Sequence, residues 1–300
     1  MQILDPYDVQ SYSKSIDLLY SKIPGLKITS FTDRVAMISA LLIGRPYVLG
    51  PNGEGPLGQF DQAPLYRLDA FDCVTYVNTV LALALSQDVL SFEKNLIRIA
   101  YQREQLSYAY RNHFISVDWN LHNQSMGIIE EKTASVARAI SEDCLKTAVT
   151  LIDRPSWFRR RNFNDIRLLR KVSAKEMKQL LGDLRGIAKT VKLQQSQLNY
   201  LPIQALFDHS AQPIISYFRN IPHASIIELV RPNWNLKKKI GTNINVSHIG
   251  FAIWQNDQLF YRQASAIEKC VIDIPLSEYL RCRLVSPTIK GISLYGLTNR

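Results

Sequence analysis

Apolar spacing changes its period near residue 200, and that change limits the chain to a mixed architecture. Ahead of it, apolar residues recur at helical intervals. Residues 10–45 read as two helical segments, one through Ile16, Leu19, Tyr20 and Ile23 and one from Val35 to Ile43. Val74, Val77, Leu81 and Leu85 share a stripe that predicts a buried helix, and residues 91–106 predict a more polar one. Residues 107–135, with Tyr108, Tyr110, Phe114, Val117 and Trp119, read as irregular strand and loop. Ser173 and Glu176 form a capping box for a helix to about Val191, with Met177, Leu180, Leu181, Leu184 and Ile187 inward. Beyond residue 200 the pattern alternates, predicting strands at 225–230, 246–254, 259–264 and 291–297. Helices early and antiparallel strands late are the α+β arrangement. With 46% apolar residues in 300, the chain is expected to build one core elaborated by an insertion, and disorder is excluded.

Charge divides the chain differently. The formal net charge is +10, but residues 151–240 alone hold 17 Lys+Arg against 6 Asp+Glu. The other 210 residues come to −1, so a near-neutral body carries one basic segment that includes Arg159-Arg160-Arg161 and Lys237-Lys238-Lys239. The most apolar run, 74–85, is too short to span a bilayer, so no transmembrane segment is expected. The start, Met1-Gln2-Ile3-Leu4-Asp5-Pro6, has neither a basic nor an apolar stretch, and no signal peptide is expected. Cys73, Cys144, Cys270 and Cys282 contain no C-x-x-C pair, and the glycine-rich loop 44–56 lacks a Gly-Lys-Ser/Thr ending. Zinc-ribbon and phosphate-loop chemistries are therefore not expected.

Two residues carry candidate chemistry. Asp72 stands as the N-cap of the apolar helix, which puts Cys73 in its first turn. There the positive end of the helix dipole is expected to lower the thiol pKa, although a small buried hydrophobe fits the position as well. Of His113, His122, His209, His223 and His248, none sits in a metal-ligand motif. His248 opens a strand in which Ile249, Phe251 and Ile253 form an apolar face, whereas Gly250 and Ala252 beside it leave room for a ligand. If the turn at 255–258 has an even number of loop residues, strand parity places His248 on one face with Gln263 and Ser265. Gln263 then fixes the far imidazole nitrogen.

These residues resemble a known set. Gly44-Arg45-Pro46-Tyr47-Val48-Leu49-Gly50 followed by Phe71-Asp72-Cys73 resembles the signature of the NlpC-type superfamily of papain-like cell-wall hydrolases. Ser247-His248-Ile249-Gly250-Phe251 and Arg262-Gln263-Ala264-Ser265 resemble its two later strands. The longer run 68–77, Val117-Asp118-Trp119 and Gly291-Ile292 resemble the N-acetylmuramoyl-L-alanine amidase-like branch, and Val74-Thr75 stands where endopeptidases usually carry Ser-Gly. The likeness covers roughly residues 35–130 and 200–297.

The resemblance implies a papain-like core in a single domain spanning 1–300. It comprises a helical lobe at about 10–135, a basic helical insertion at about 150–197 and an antiparallel sheet lobe at about 198–300. It implies Cys73 as nucleophile, His248 as general base and Gln263, where the superfamily often has histidine, as the orienting group. Tyr47, Asp72 and Trp119 are the implied substrate contacts. The implied reaction cuts the amide between N-acetylmuramic acid and L-alanine in peptidoglycan or muropeptides through a thioester, with no metal or organic cofactor. The periplasm or cell envelope is the implied location, and a monomer is expected. The same machinery also serves endopeptidases that cut between D-glutamate and a diamino acid. In another class, the basic segment with Trp157, Phe158 and Phe163 fits non-catalytic binding of wall fragments or nucleic acid, though no nucleic-acid motif is present and no nucleic acid is expected as partner.

Overall fold

Capping chemistry sets where the helices begin. The computed structural model describes residues 2–3, 16, 19–21 and 30–298. Its helices of six or more residues among those described are α1 (Phe31–Ala40), α2 (Cys73–Ala84), α3 (Val89–Ala100), α4 (Asn120–Ser125), α5 (Thr133–Ile140), α6 (Arg154–Arg159), α7 (Ala174–Gly186) and α8 (Leu276–Arg281). Ser30, Asp72, Asp88 and Ser173 lie in extended backbone, and their side chains accept first-turn N–H groups of α1, α2, α3 and α7. Glu176 does not complete the expected box at α7, because its carboxylate pairs with Arg170. Ile16 and Leu19 of the first predicted segment are buried, whereas residues 10–15 and Ile23 lie outside the described residues.

One expectation fails in the helical half. Residues 115–125 are not strand and loop. Ile115–Trp119 forms a π-helical turn that runs into α4. The N–H groups of Asp118 and Trp119 both return to the Phe114 carbonyl, at 2.8 and 3.2 Å, and the Asp118 carboxylate accepts the Phe114 N–H at 3.0 Å. This side chain closes the turn that the alternating apolar residues disguised.

The strands are β1 (Ile129–Glu131), β2 (Lys146–Ile152), β3 (Gln194–Pro202), β4 (Ser225–Asn235), β5 (Asn243–Gln255), β6 (Gln258–Ser265), β7 (Cys270–Pro275) and β8 (Gly291–Leu297). They form one eight-stranded antiparallel sheet in the order β2-β3-β8-β4-β5-β6-β7, with β1 also on β8. The four late strands are where the alternation predicted them. β1, β2, β3 and β7 are additional.

Parity then assigns the sheet faces. Ile226, Val230, Ile249, Phe251 and Ile253 pack in one cluster with Tyr76, Val77 and Leu81 of α2. Ile227, Leu229, Ala252 and Tyr261 pack on the opposite face with Leu276, Tyr279 and Leu280 of α8. A third cluster joins α6 and α7 to Phe60, Tyr108, Phe114 and Val117. Trp157 and Phe158 belong to that cluster and are buried, with the Arg161 guanidinium 3.9 Å from the Trp157 ring centroid. Trp157 and Phe158 are thus core whereas Phe163 is exposed, so only one of the three aromatics among the arginines is open to stacking. Among the described residues no helix is long and apolar enough to cross a membrane.

Candidate active site

Asp72 builds the start of α2 and ties it to a loop. Its Oδ1 accepts the Thr75 N–H and hydroxyl, both at 2.8 Å, while Thr75 Oγ1 accepts the Asp72 N–H at 2.9 Å. The reciprocal pair is a capping box that uses threonine where glutamate is more usual. Asp72 Oδ2 accepts the Gly50 N–H at 3.0 Å, so one carboxylate fixes both the helix and the glycine-rich loop. Cys73 follows as the first helical residue.

A break in the sheet receives the thiol. Between β4 and β5 the register shifts at Leu229/Val230, so Ser247 is an extra residue and a bulge adjoins His248. On the other side, the β5–β6 ladder runs from Gln255↔Gln258 to Phe251↔Arg262. The Ala252 carbonyl is taken by Ala224 on the β4 side, so odd-numbered residues of β5 turn their backbone groups towards β6. The N–H of Ile249 therefore points where that ladder has stopped, and it lies near enough to the Cys73 sulfur to favour its charged form.

His248 and Gln263 meet as parity required. The turn between β5 and β6 has two residues, Asn256 and Asp257, both with positive φ. His248 Nε2 donates to Gln263 Oε1. Because that oxygen can only accept, the neutral ring keeps Nδ1 as its lone-pair nitrogen. The expected room beside His248 is filled: Tyr261 lies edge-on to the imidazole, ring centroids 5.9 Å apart. A Cβ on Gly250 would stand 2.8 Å from the Tyr261 ring and 2.7 Å from the Arg262 carbonyl oxygen, which is why glycine is needed there.

The electrostatics reverse the expected thiolate. Burial pushes the Cys73 thiol up to about 12, with the Asp72 charge adding to it, against backbone N–H groups of Ile249, Val74 and Cys73 that pull the other way. Burial holds the His248 imidazole down at about 4, helped by the Arg283 charge and opposed by the Gln263 hydrogen bond. One dipole end does not offset that desolvation, so the resting pair is thiol and neutral imidazole.

A cleft of about 230 Å³ opens onto Cys73. Tyr47, Leu49 and Asp72 line it from one side, His113, Phe114, Ile115 and Ser116 from another, and Trp234, Ile244, Val246 and Ser247 from the sheet. The Tyr47 phenol is pushed up to about 12 by burial and by the neighbouring Cys73 and Asp72 charges. Trp119 must be moved from the cleft to the core: it is fully buried and its indole N–H donates to Asn78 Oδ1 at 2.7 Å. Sequence reasoning missed Trp234, Ser247 and the 113–116 stretch, which come from separate segments and carry no shared motif. His113 is held by the Tyr108 carbonyl at 2.7 Å and packs on Trp157, ring centroids 4.6 Å apart. Among the described residues no group of three or more His, Cys, Asp or Glu side chains is placed to hold a metal ion.

The molecule resembles known structures throughout its length. A crystal structure of a protein from Legionella pneumophila str. Philadelphia 1 is 40% identical, covering 99% of this chain and 97% of that one, with a TM-score of 0.93. An N-acetylmuramoyl-L-alanine amidase from Bacteroides uniformis shares the fold at 20% identity and a TM-score of 0.61, over 90% of this chain and 99% of that one. No curated relative matches the sequence. Residues 37–287 match the family model described as N-acetylmuramoyl-L-alanine amidase-like, and the chain belongs to that family.

Proposed function

We propose that the protein is a cysteine hydrolase with an NlpC-type papain-like core that cuts the amide between N-acetylmuramic acid and L-alanine in peptidoglycan or its fragments. One observation carries this reading. The first-turn thiol of α2 meets β5 at Ile249, one residue beyond the His248 that Gln263 orients, in a chain of the amidase-like family.

In the proposed reaction, neutral His248 takes the thiol proton as Cys73 sulfur attacks the lactyl carbonyl carbon. Backbone N–H groups in the first turn of α2 stabilise the oxyanion. His248 returns the proton to the alanine nitrogen, the C–N bond breaks and the peptide leaves. Water then adds to the thioester with His248 again as base, and the freed thiol is restored. Tyr47 and Asp72 stand at the cleft as substrate contacts, though Asp72 already spends both oxygens on Gly50 and Thr75. The reading includes the two lobes, residues 150–197 as an insertion between them, and action in the cell envelope.

Digestion of purified muropeptides, with fragments weighed, tests it. Release of free sugar and intact stem peptide is expected, with Cys73→Ala at least 10²-fold slower. Fragments that retain sugar-linked L-alanine would indicate a cut inside the stem peptide, and unchanged cleavage by Cys73→Ala would remove the nucleophile.

A further inference from the structure

The half-buried arginines of this protein fall into three groups. Arg67, Arg111, Arg154, Arg161, Arg167 and Arg262 are paired with carboxylates. Arg34 and Arg98 donate to backbone carbonyls at the ends of helical segments. Arg231 and Arg283 stand apart: among the described residues neither forms an ion pair, and each stacks on an aromatic ring and bonds neutral groups alone, although Arg283 too donates to a helix-end carbonyl.

Arg231 reaches the cleft through Ser247 and Trp234, and Arg283 reaches His248 through two packed tyrosines. Arg231 Nε donates to Ser247 Oγ at 3.0 Å and Nη1 donates to Thr288 Oγ1, with the guanidinium 4.2 Å from the Trp234 ring centroid. Ser247 and Trp234 both line the cleft that holds Cys73, and Ser247 adjoins His248 in sequence. Arg283 lies 3.3 Å from the Tyr279 ring centroid and donates to the Tyr279 carbonyl at 2.5 Å. Tyr279 packs on Tyr261, centroids 4.8 Å apart, and Tyr261 packs on His248. Burial holds Arg231 below its ordinary range, opposed by Tyr279 and reinforced by the Arg283 charge.

Two guanidiniums without a carboxylate partner, one bonded to Ser247 beside His248 and one reaching His248 through Tyr279 and Tyr261, make a receptor for an anion. Stacking and hydroxyl bonds have already ordered the side chains, so little rotamer freedom remains to be lost on binding. We infer that Arg231 and Arg283 bind a free carboxylate of the peptide half of the substrate, on the His248 side of the cleft. The inference rests on the amidase reading above, which also fixes its direction. The lactyl carboxyl of such a substrate is consumed in the scissile amide, so the remaining anions are those of the peptide. The proton donor to the leaving amine must stand on the leaving-group side. The contacts of both arginines lead to His248, so they are assigned with it to that side, and Tyr47 and Leu49 to the sugar.

The test compares N-acetylmuramoyl-L-alanyl-D-glutamate with the same compound carrying amides in place of both glutamate carboxylates. The unsubstituted protein is expected to prefer the acid by ~10- to 100-fold in kcat/KM, the range for a hydrogen bond to a charged group. In Arg231→Gln and Arg283→Gln the acid-to-amide ratio falls towards one, chiefly through KM, and Arg231→Lys restores part of it. A ratio near one in the unsubstituted protein, or a ratio that the glutamine variants leave intact, overturns the inference. A merely structural role lowers both rates and preserves the ratio. Calorimetry with the Cys73→Ala protein and the same two compounds separates this outcome from the function itself. Preferential binding of the acid without cleavage at the muramoyl–alanine bond removes the amidase reading and leaves the anion site. Cleavage there without acid preference does the reverse.

Discussion

Burial of both Cys73 and His248 makes a preformed thiolate–imidazolium pair expensive, because two charges would have to persist away from water. In the proposed reaction the proton therefore moves as the sulfur attacks, with neutral imidazole as the base. Sign follows from that: the base is competent above its pKa and lost below it. With His248 held at about 4, kcat/KM on a muropeptide is expected to stay level from neutral pH to about 5 and to fall as pH drops through about 4. A pH–rate profile measures this, and an acid limb near the ordinary 6.5 would mean a solvated His248. The residues of this pair were legible in the sequence for reasons of different strength. Cys73 was marked by a local cap, and Gln263 by parity across a turn whose length the sequence left open. Trp119 was misread because nothing in a sequence distinguishes an indole facing a cleft from one donating to Asn78 in the core. The thiol pKa was misread because the helix dipole is local and visible, whereas desolvation belongs to the assembled fold.

At the level of elements, the cap that positions Cys73 is separable from the thiol itself. Thr75 Oγ1 both accepts the Asp72 N–H and donates to its carboxylate. Thr75→Val keeps the side-chain shape and removes both contacts, at an expected cost of about 1 kcal/mol and a fall in melting temperature of roughly 2 °C. Because Asp72 also holds Gly50, kcat is expected to drop along with stability. Thermal unfolding and turnover measured on one sample check both, and an unchanged melting temperature would show that the box does not brace α2. The strands divide on the same local principle. β5 and β6 alternate apolar and polar with the core and were predictable. In β2 the alternation is inverted: Val149 and Leu151 are exposed while Thr150 points inward. Thr150 bonds Asn245 and the Asn233 N–H, and Asn245 bonds Ser196 of β3 at 2.8 Å. A sheet segment with a hydrogen-bonded polar interior gives no hydrophobic period to read. The bulge at Ser247 was equally silent, since it is a relation between β4 and β5 and not a property of either.

Over the whole molecule, three buried groups set opposing responses to pH. Burial raises Glu228 to about 8, and its Oε2 accepts from Asn120 Nδ2 at 3.2 Å. A raised carboxyl pKa means the folded state keeps a proton that the unfolded chain releases between about 4.5 and 8, so stability falls as pH rises across that window. His248 and His113 act the other way. Burial holds them at about 4 and about 3, and the Arg111 charge helps to lower His113. Each resists protonation that the unfolded chain accepts below 6.5, so stability is lost as pH falls from 6.5 towards those values. Two histidines outweigh one carboxyl below 6.5, and Glu228 acts alone above it, which places the maximum of these contributions near pH 6.5. Between pH 6.5 and 8 the Glu228 contribution is about 2 kcal/mol, from 1.36 kcal/mol per pH unit. Glu228→Gln keeps the shape, carries no proton to lose and offers an amide to Asn120 Oδ1, an oxygen with no hydrogen-bond partner among the described residues. Its denaturant-unfolding free energy is expected to be level from pH 6.5 to 8 while that of the unsubstituted protein declines. Equal declines in the two proteins would mean that Glu228 ionises freely in the fold, and that the sheet beneath Ile249 tolerates a charge.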